Sequence, residues 1–229
     1  MRGSALGRAD GEGLRERKKR AMRRQLSDTA ARMFLERGFD AVRVADVAEA
    51  CGVSEKTVFN YFPSKEALVL DRLEPMAEAL RTRLADPALP PVAAMVKILD
   101  QEVRDLVTAL AEAADADAAL AGYRKFGELI RENPSLRAYQ NDVTDRFVDV
   151  AAEALAARAG FASDDPEPQI AAAALLGLWR VQFRALRAQL RPGRPLAEAV
   201  EAVAGEVRRA ARLIEDGLAV FPLNAGPGN

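Results

Sequence analysis

The sequence predicts an all-α protein with an N-terminal three-helix helix-turn-helix head and a C-terminal helical bundle. Apolar residues recur at helical spacing through most of the 229 residues, and no stretch alternates apolar and polar side chains as a strand does. Glycine and proline fall mainly between these periodic segments, where they end helices. The chain is also rich in alanine, the residue with the highest helix propensity.

The composition narrows the classes of function. Apolar residues make up 49% of the chain and charged residues 29%, so the protein can bury a substantial core. It has one cysteine and no histidine, which excludes an internal disulfide, zinc sites of His and Cys, and imidazole triads. The longest uncharged apolar run, 170–179, falls short of the roughly 18 residues that span a bilayer. We expect a cytoplasmic protein that is not an enzyme and has no membrane, metal or cofactor site.

Positive charge is concentrated at the front of the sequence. Residues 1–65 hold 14 Lys and Arg against 9 Asp and Glu, whereas the rest of the chain holds 19 against 25. Seven of the ten residues in 15–24 are cationic. Such a segment can replace the counterions of a nucleic-acid backbone, and a short basic run is also typical of a solvated helix start. Charge alone therefore favours a nucleic-acid partner only weakly.

The first helix is predicted over 15–37, after a flexible arm at residues 1–14. Its apolar stripe consists of Met22, Leu26, Ala30, Met33 and Phe34. Gly38 ends this helix, and short helical segments follow it on either side of Gly52. Together with a connecting helix, these segments form the predicted head, 15–84.

The connecting helix is predicted from Ser64 to about Leu84, and the proline-rich segment 86–91 is the predicted domain boundary. Beyond this boundary the periodicity predicts five further helices. They cover approximately 92–113, 116–132, 134–159, 168–190 and 195–218. The second domain is therefore predicted over 92–221, followed by a disordered tail at 222–229.

Residues 44–62 have the spacing of two short helices that meet at an angle. Gly52 supplies the turn between them, where a side chain would be strained, and Ser54 can cap the second helix. The apolar positions that hold the pair together are Val44, Val47, Ala48, Val53, Val58 and Phe62. The outward face of the second helix, where a recognition helix contacts bases in the major groove of DNA, carries Glu55, Lys56, Thr57 and Asn60.

Characteristic residues surround this motif. They are Leu26, Ala30, Met33, Phe34, Gly38, Phe39, Asp46, Val47, Ala48, Gly52, Val53, Ser54 and the runs 57–62 and 64–68. Through them, about a fifth of the chain resembles the head of the tetracycline-repressor (TetR) family of transcription regulators. The resemblance implies that Lys56, Thr57 and Asn60 face the groove, while Tyr61 and Lys65 hold phosphates. The full predicted DNA-binding set is Arg43, Ser54, Glu55, Lys56, Thr57, Asn60, Tyr61 and Lys65.

Arg43 departs from the family pattern, which has Thr or Ser at this position. A Thr would cap the helix and pair with Asp46 in a capping box, whereas Arg has no acceptor for a backbone N–H. We hypothesise that Arg43 instead contacts a phosphate. Phe59 and Phe62 are predicted to be core residues rather than stacking platforms for bases, and Cys51 a small buried filler.

The resemblance also implies an effector pocket and a dimer in the C-terminal bundle. The predicted pocket residues are Phe126, Phe147, Trp179 and Phe183, although large rings in a body rich in Ala and Leu can equally anchor a core. A row of arginines in 180–191 is either solvated or meets an anionic effector. The last two long helices are expected to form a dimeric four-helix bundle. Its predicted interface residues are Leu186, Val200, Val203, Val207 and Ile214.

These inferences predict a ligand-responsive transcription regulator, usually a repressor in such families. It would bind a palindromic double-stranded DNA operator as a homodimer and be released by a small apolar or amphipathic effector, which the sequence does not identify. The helix Ser64–Leu84 would transmit the change. The alternative is a DNA-bound structural or cell-division factor whose body binds a protein partner without a small ligand, and a filled bundle would favour it. The sequence has no nucleophile–base pattern, metal spacing or phosphate loop that would indicate an enzyme.

Overall fold

The computed structural model describes the backbone of residues 6–70 and 73–218. Within these ranges the chain forms ten α-helices and no strand, which confirms the all-α fold class. The helices are α1 (Leu6–Arg37), α2 (Val44–Ala50), α3 (Glu55–Tyr61), α4 (Lys65–Val69), α5 (Leu73–Ala85), α6 (Pro91–Ala111), α7 (Ala116–Glu132), α8 (Pro134–Ala159), α9 (Pro166–Gln189) and α10 (Leu196–Leu218). Among the described residues, no helix combines the length and the apolar character needed to cross a bilayer.

The chain divides into two compact units. Unit 1 consists of Met1–Asp71 and Glu128–Tyr139, and unit 2 of Arg72–Gly127 and Gln140–Asn229. Unit 1 therefore holds α1 to α4 and the turn that joins α7 to α8. Unit 2 holds α5, α6, α9, α10 and the remaining parts of α7 and α8.

Unit 1 is built around α1, which packs against α2 and α4, while α2 packs against α3. The apolar stripe predicted for α1 is buried at Leu26, Ala30, Met33 and Phe34 and half-buried at Met22. The ring centroids of Phe34 and Phe39 lie 5.1 Å apart, so the loop after α1 joins the same core. Gly38 and Gly52 have φ angles of 86° and 67°. Because side chains disfavour this left-handed region, both glycines form the turns that the sequence predicts.

The first helix begins earlier than predicted. The arm expected over residues 1–14 is helical from Leu6 onwards. The apolar stripe on which the prediction rests begins at Met22, so it does not indicate how far the helix extends toward the N-terminus. A glycine inside a helix costs about 1 kcal/mol relative to alanine but does not end it. Residues 1–5 of that arm, and the tail predicted at 222–229, lie outside the described residues.

The start of α8 is joined to the rest of unit 1 by Asn133. Its side-chain oxygen accepts hydrogen bonds from the N–H groups of Ser135 at 3.0 Å and Leu136 at 3.3 Å, so it caps the helix. Its amide nitrogen donates to Oδ1 of Asp40 at 3.2 Å. Since Asp40 lies in the loop between α1 and α2, this bond links the turn before α8 to the head.

The continuous connecting helix predicted from Ser64 to Leu84 is wrong. α4 ends at Val69, where Leu70 leaves helical geometry with φ −108° and ψ 30°, and α5 is a separate helix. Pro75 gives the physical reason. Proline lacks an N–H and clashes with the carbonyl four residues earlier, at a cost of about 3 kcal/mol in a helix interior, but the first turn tolerates it. Pro75 lies in the first turn of α5.

Unit 2 is a helical bundle in which α6 packs against α5, α9 and α10, and α9 packs along α10. Its largest fully buried side chains include Leu80, Leu84, Met95, Leu99, Leu155, Leu175 and Leu176. Arg158 on α8 is also buried, and its Nη1 donates to the carbonyl oxygens of Leu84 at 3.1 Å and Leu89 at 3.0 Å. This arginine ties the loop between α5 and α6 to α8. The boundary predicted at 86–91 therefore lies inside unit 2. This segment separates α5 from α6, but the two helices still pack against each other.

Candidate functional site

α3 is the helix that the sequence predicts to enter DNA. The N–H of Thr57 donates to Oγ of Ser54 at 3.1 Å, which confirms the predicted cap. The hydroxyl oxygens of Ser54 and Thr57 lie 2.8 Å apart, so the Thr57 hydroxyl also belongs to the cap. Val58 and Phe62 are buried on the inner side. The exposed residues among those predicted to face DNA are Glu55, Lys56 and Asn60, and Thr57 is half-buried.

The C-terminal end of α3 is held by Arg23 of α1. Nη1 of Arg23 donates to the carbonyl oxygen of Tyr61 at 2.9 Å, and the guanidinium carbon lies 4.7 Å from the centroid of the Phe62 ring. A cation is favourable here because the last carbonyls of a helix carry partial negative charge. Sequence analysis counted Arg23 only as part of the basic run. The contact spans 38 positions, so no local pattern indicates it.

Phe59 is an outward-facing residue of α3. The prediction that Phe62 is a core residue is confirmed, but the same prediction for Phe59 is wrong, since its side chain is 47% exposed. α3 has only two turns, and positions 58 and 62, one turn apart, take its inner face. Phe59 is therefore turned away from the core, on a helix that also exposes Lys56 and Asn60. Because large aromatic residues are usually buried, the sequence predicts a core position for Phe59 and does not indicate its exposure.

Arg43 pairs with Asp46 at the start of α2. The backbone N–H of Arg43 donates to Oδ2 of Asp46 at 2.8 Å, and its guanidinium donates from Nη2 to Oδ1 at 3.0 Å. These backbone and side-chain hydrogen bonds lower the pKa of the Asp46 carboxyl. Half of the expected capping box is thus present, with the carboxylate as acceptor. The Arg43 side chain is 80% exposed. A phosphate that bound it, as hypothesised, would contact a guanidinium that is already paired with Asp46.

Tyr61 and Lys65, the residues predicted to hold phosphates, are both half-buried. Nζ of Lys65 lies 4.2 Å from the centroid of the Phe39 ring and 5.8 Å from that of Phe34, and the faces of both rings attract this charge. An ammonium has three donors, so this position leaves Lys65 able to bind an anion. In the basic segment of α1, the exposed cations are Arg15, Arg17, Lys18, Lys19, Arg20 and Arg24.

The four rings predicted to line an effector pocket differ in burial. Phe147 and Trp179 are buried, Phe126 is half-buried and Phe183 is 40% exposed. Trp179 packs edge to face against Phe147 at 5.4 Å and against Phe183 at 4.8 Å between centroids. Two surface hollows on unit 2, of about 570 and 280 Å³, include none of the four. The arginines at 180, 184, 187 and 191 are exposed, which favours the solvated interpretation of that row.

Glu102 of α6 is a carboxylate that sequence analysis did not single out. Its Oε2 accepts hydrogen bonds from Nε1 of Trp179 at 3.0 Å and from Nε2 of Gln182 at 3.1 Å. Burial raises the pKa of Glu102 from 4.5 to about 7, and the negative charge of Asp105 acts in the same direction. Burial also raises the pKa of Tyr123 on α7 to about 12, with a contribution from the Glu102 charge. These residues form a polar group at the edge of the aromatic cluster.

Three of the residues predicted for a dimer interface belong to the core of a single chain. Leu186, Val203 and Val207 are buried where α9 packs along α10. Val200 and Ile214 are half-buried. The apolar stripes of the two helices therefore face each other within the chain. The large apolar side chains that the same helices expose include Ile170 of α9 and Leu213 of α10.

An exposed, capped recognition helix on a buried helical support, together with a basic helix, defines a helix-turn-helix DNA-binding protein. Residues 26–71 match the family model of bacterial regulatory proteins of the tetR family, and residues 99–212 match that of the MftR C-terminal domain. Together the two models cover more than half of the chain. The protein belongs to the TetR family of transcription regulators, which bind DNA operators as dimers and are typically repressors.

Similar proteins include MftR of Mycobacterium tuberculosis, a protein named as a mycofactocin biosynthesis transcriptional regulator. It is 28% identical over 162 residues, which cover 67% of this chain and 73% of MftR. The HTH-type transcriptional regulator TcmR of Streptomyces glaucescens is 29% identical over 181 residues, or 76% of this chain and 77% of TcmR. A similar solved structure is NalD, the secondary repressor of the MexAB-OprM multidrug efflux pump in Pseudomonas aeruginosa. It has 19% identity, a TM-score of 0.49, and coverage of 83% of this chain and 96% of NalD.

Replacing Arg23 with alanine is expected to loosen α3. The variant loses the hydrogen bond to the Tyr61 carbonyl and the contact with the Phe62 ring, which together contribute about 1–3 kcal/mol. Amide hydrogen exchange in α3 should become faster, and DNA affinity should fall. Arg24→Ala is the matched control, because it removes the same charge from an exposed neighbour in the basic run. Equal exchange in α3 of the two variants would show that Arg23 does not hold this helix.

The raised pKa of Glu102 predicts a pH dependence of stability. The folded state binds the proton of Glu102 more tightly than the unfolded chain, so the contribution of this group to stability is highest below pH 4.5 and declines as pH rises to about 7. Glu102→Gln should remove this decline and stabilise the protein at pH 8 by on the order of 3 kcal/mol. Urea unfolding followed by the fluorescence of Trp179, the single tryptophan, measures the change. Glu112→Gln, an exposed substitution at the C-cap of α6, should keep the decline.

Proposed function

We propose that the protein represses transcription by binding a palindromic operator as a homodimer, and that a small apolar or amphipathic effector releases it. The observation that carries this proposal is the presentation of α3. Ser54 caps its start, Arg23 holds its end, and it exposes Lys56, Phe59 and Asn60. Lysine can donate to guanine O6 and N7, asparagine can pair with adenine N6 and N7, and an apolar ring can contact the thymine methyl group. The exposed cations of α1 would add sequence-independent attraction to phosphates.

The homodimer would use α9 and α10. In such a dimer, a two-fold axis would place two copies of α3 on successive major grooves, about 34 to 36 Å apart, and the operator would repeat that symmetry. Exposed apolar side chains support this use of the two helices, since Ile170 is 67% exposed and Leu213 is 80% exposed. α9 and α10 are joined by a short loop and pack along each other, so the start of α9 and the end of α10 lie at the same end of the pair. The proposed interface therefore combines these two residues with Val200 and Ile214, the half-buried members of the predicted set.

Release by an effector requires a ligand that binds more tightly to a conformation with low affinity for DNA. The cluster of Glu102, Trp179 and Phe183 supports a site in unit 2, because it combines a polar group with rings that extend from the core to the surface. The packing of Phe147 against Trp179 in the core favours the second candidate, a DNA-bound factor whose body binds a protein partner without a small ligand.

Substitutions on α3 are expected to separate base recognition from phosphate attraction. Lys56→Ala and Asn60→Ala should each relax the preference for one operator position, with a loss of about 1–3 kcal/mol on the preferred sequence only. Phe59→Ala should reduce the discrimination of thymine. Lys18→Ala, the control on α1, should weaken binding to all sequences and lower the salt dependence by about one unit. Binding measured across a randomised operator library tests this, and a uniform loss in the α3 variants would contradict base recognition.

If the proposed interface is correct, negative charges introduced at Ile170 and Leu213 should weaken the dimer. Ile170→Glu combined with Leu213→Glu would place two desolvated carboxylates in each half of the contact and should raise the dimer dissociation constant by about 100-fold or more. Sedimentation equilibrium measures this constant. Leu14→Glu, at an exposed leucine on α1, is the control and should leave it unchanged. A double variant that remains as dimeric as the parent would place the interface elsewhere.

A further inference from the structure

We infer that Glu102 and the aromatic side chains around it form a binding site for an organic cation, whose positive centre pairs with the carboxylate. This inference rests on the effector site proposed above and specifies the charge of its ligand. The ligand class that fits is an apolar or aromatic molecule with a single ammonium-like group.

The first observation is that the Glu102 carboxylate lacks a positive partner. Its Oε2 receives hydrogen bonds from two neutral donors, the indole of Trp179 and the amide of Gln182. Among the described residues no cation pairs with it, and the nearby charge of Asp105 has the same sign. A buried carboxylate is costly unless a countercharge accompanies it. The two donors orient the carboxylate but bring no positive charge, so the charge of Glu102 is unmatched whenever the group is ionised.

The second observation is the aromatic surface beside the carboxylate. Trp179 donates to Glu102 and packs edge to face against Phe183 at 4.8 Å between centroids. Tyr123 lies close enough for the Glu102 charge to affect its hydroxyl. Ring faces attract cations, by about 2 kcal/mol or more where water is excluded. A positive group beside Glu102 would therefore meet both the carboxylate and a ring surface.

The third observation concerns access to the group. Trp179 is buried, whereas Phe183, one helical turn further along α9, is 40% exposed, and Glu102 and Tyr123 are half-buried. The cluster thus extends from the core of unit 2 to solvent, and a ligand can approach along Phe183. Arg184 and Arg187 flank Phe183, but both are exposed, so water and salt screen their charges more strongly than the half-buried charge of Glu102. An anionic ligand would meet the unscreened carboxylate and be repelled.

Two probes of nearly equal size and opposite charge test the inference: tetraphenylphosphonium and tetraphenylborate. With the full-length protein, the phosphonium ion should bind saturably by calorimetry and change the fluorescence of Trp179, and the borate should bind at least about tenfold more weakly. Glu102→Gln keeps an oxygen acceptor for Trp179 and removes the charge. It should lower the phosphonium affinity about tenfold, whereas Glu112→Gln should leave it unchanged. Thermal unfolding of both variants checks that they are folded.

Equal affinity for the two ions, or phosphonium binding that Glu102→Gln does not weaken in the folded variant, would overturn the inference. The same titration in the presence of operator DNA examines the proposed function separately. Charge-selective binding that depends on Glu102 but leaves operator affinity unchanged would support the cation site and contradict release by this ligand. Loss of operator binding on addition of phosphonium, retained in Glu102→Gln, would contradict the cation site while leaving ligand release in place.

Discussion

The DNA-binding surface depends on the contact between Arg23 and the end of α3. An isolated helix of seven residues is not stable in water, because nucleation costs more than so few hydrogen bonds return. Three tertiary and capping contacts therefore stabilise α3. They are the Ser54 cap, the burial of Val58 and the hydrogen bond from Arg23 to the Tyr61 carbonyl. The outward positions owe their geometry to these contacts. Arg23, one member of the basic run, therefore acts in the structure as a support for α3.

The parts of the head that sequence predicts correctly are those encoded locally. A positive φ at Gly52 and the cap at Ser54 each depend on a few adjacent residues, and so does the apolar stripe of α1. The contact of Arg23 with α3 and the exposure of Phe59 are not indicated by the local sequence, for a common reason. Their surroundings are set by residues distant in the chain or by which face of a two-turn helix the core occupies. Pro75 differs, because the break that it imposes on a continuous helix is a local effect of the sequence.

In the C-terminal bundle, the sequence predicts where the helices lie but not which surfaces they pack against. The periodicity of α9 and α10 indicates an apolar stripe on each, but it does not distinguish a partner within the chain from one in a second chain. The structure buries Leu186, Val203 and Val207 within the chain, whereas Ile170 and Leu213 of the same helices are exposed. Glu102 was missed because one glutamate in an amphipathic helix has the pattern of a solvated residue. Only the hydrogen bonds that Trp179 and Gln182 donate to it in the structure distinguish it from a solvated residue.

The charged residues of the two units differ in their exposure to solvent. This difference determines how strongly salt and bound ligands affect them. In unit 1 the cations of α1 are exposed, so they are well solvated and their effect on DNA binding depends on salt. In unit 2 Glu102 is half-buried, and its raised pKa corresponds to an energetic cost on the order of 3 kcal/mol when it is ionised. A ligand would favour this conformation over another only if the countercharge that it supplies to Glu102 is better placed here than there. A difference of this size between two conformations shifts their populations by about 100-fold, which is sufficient for an effector to change the occupancy of an operator.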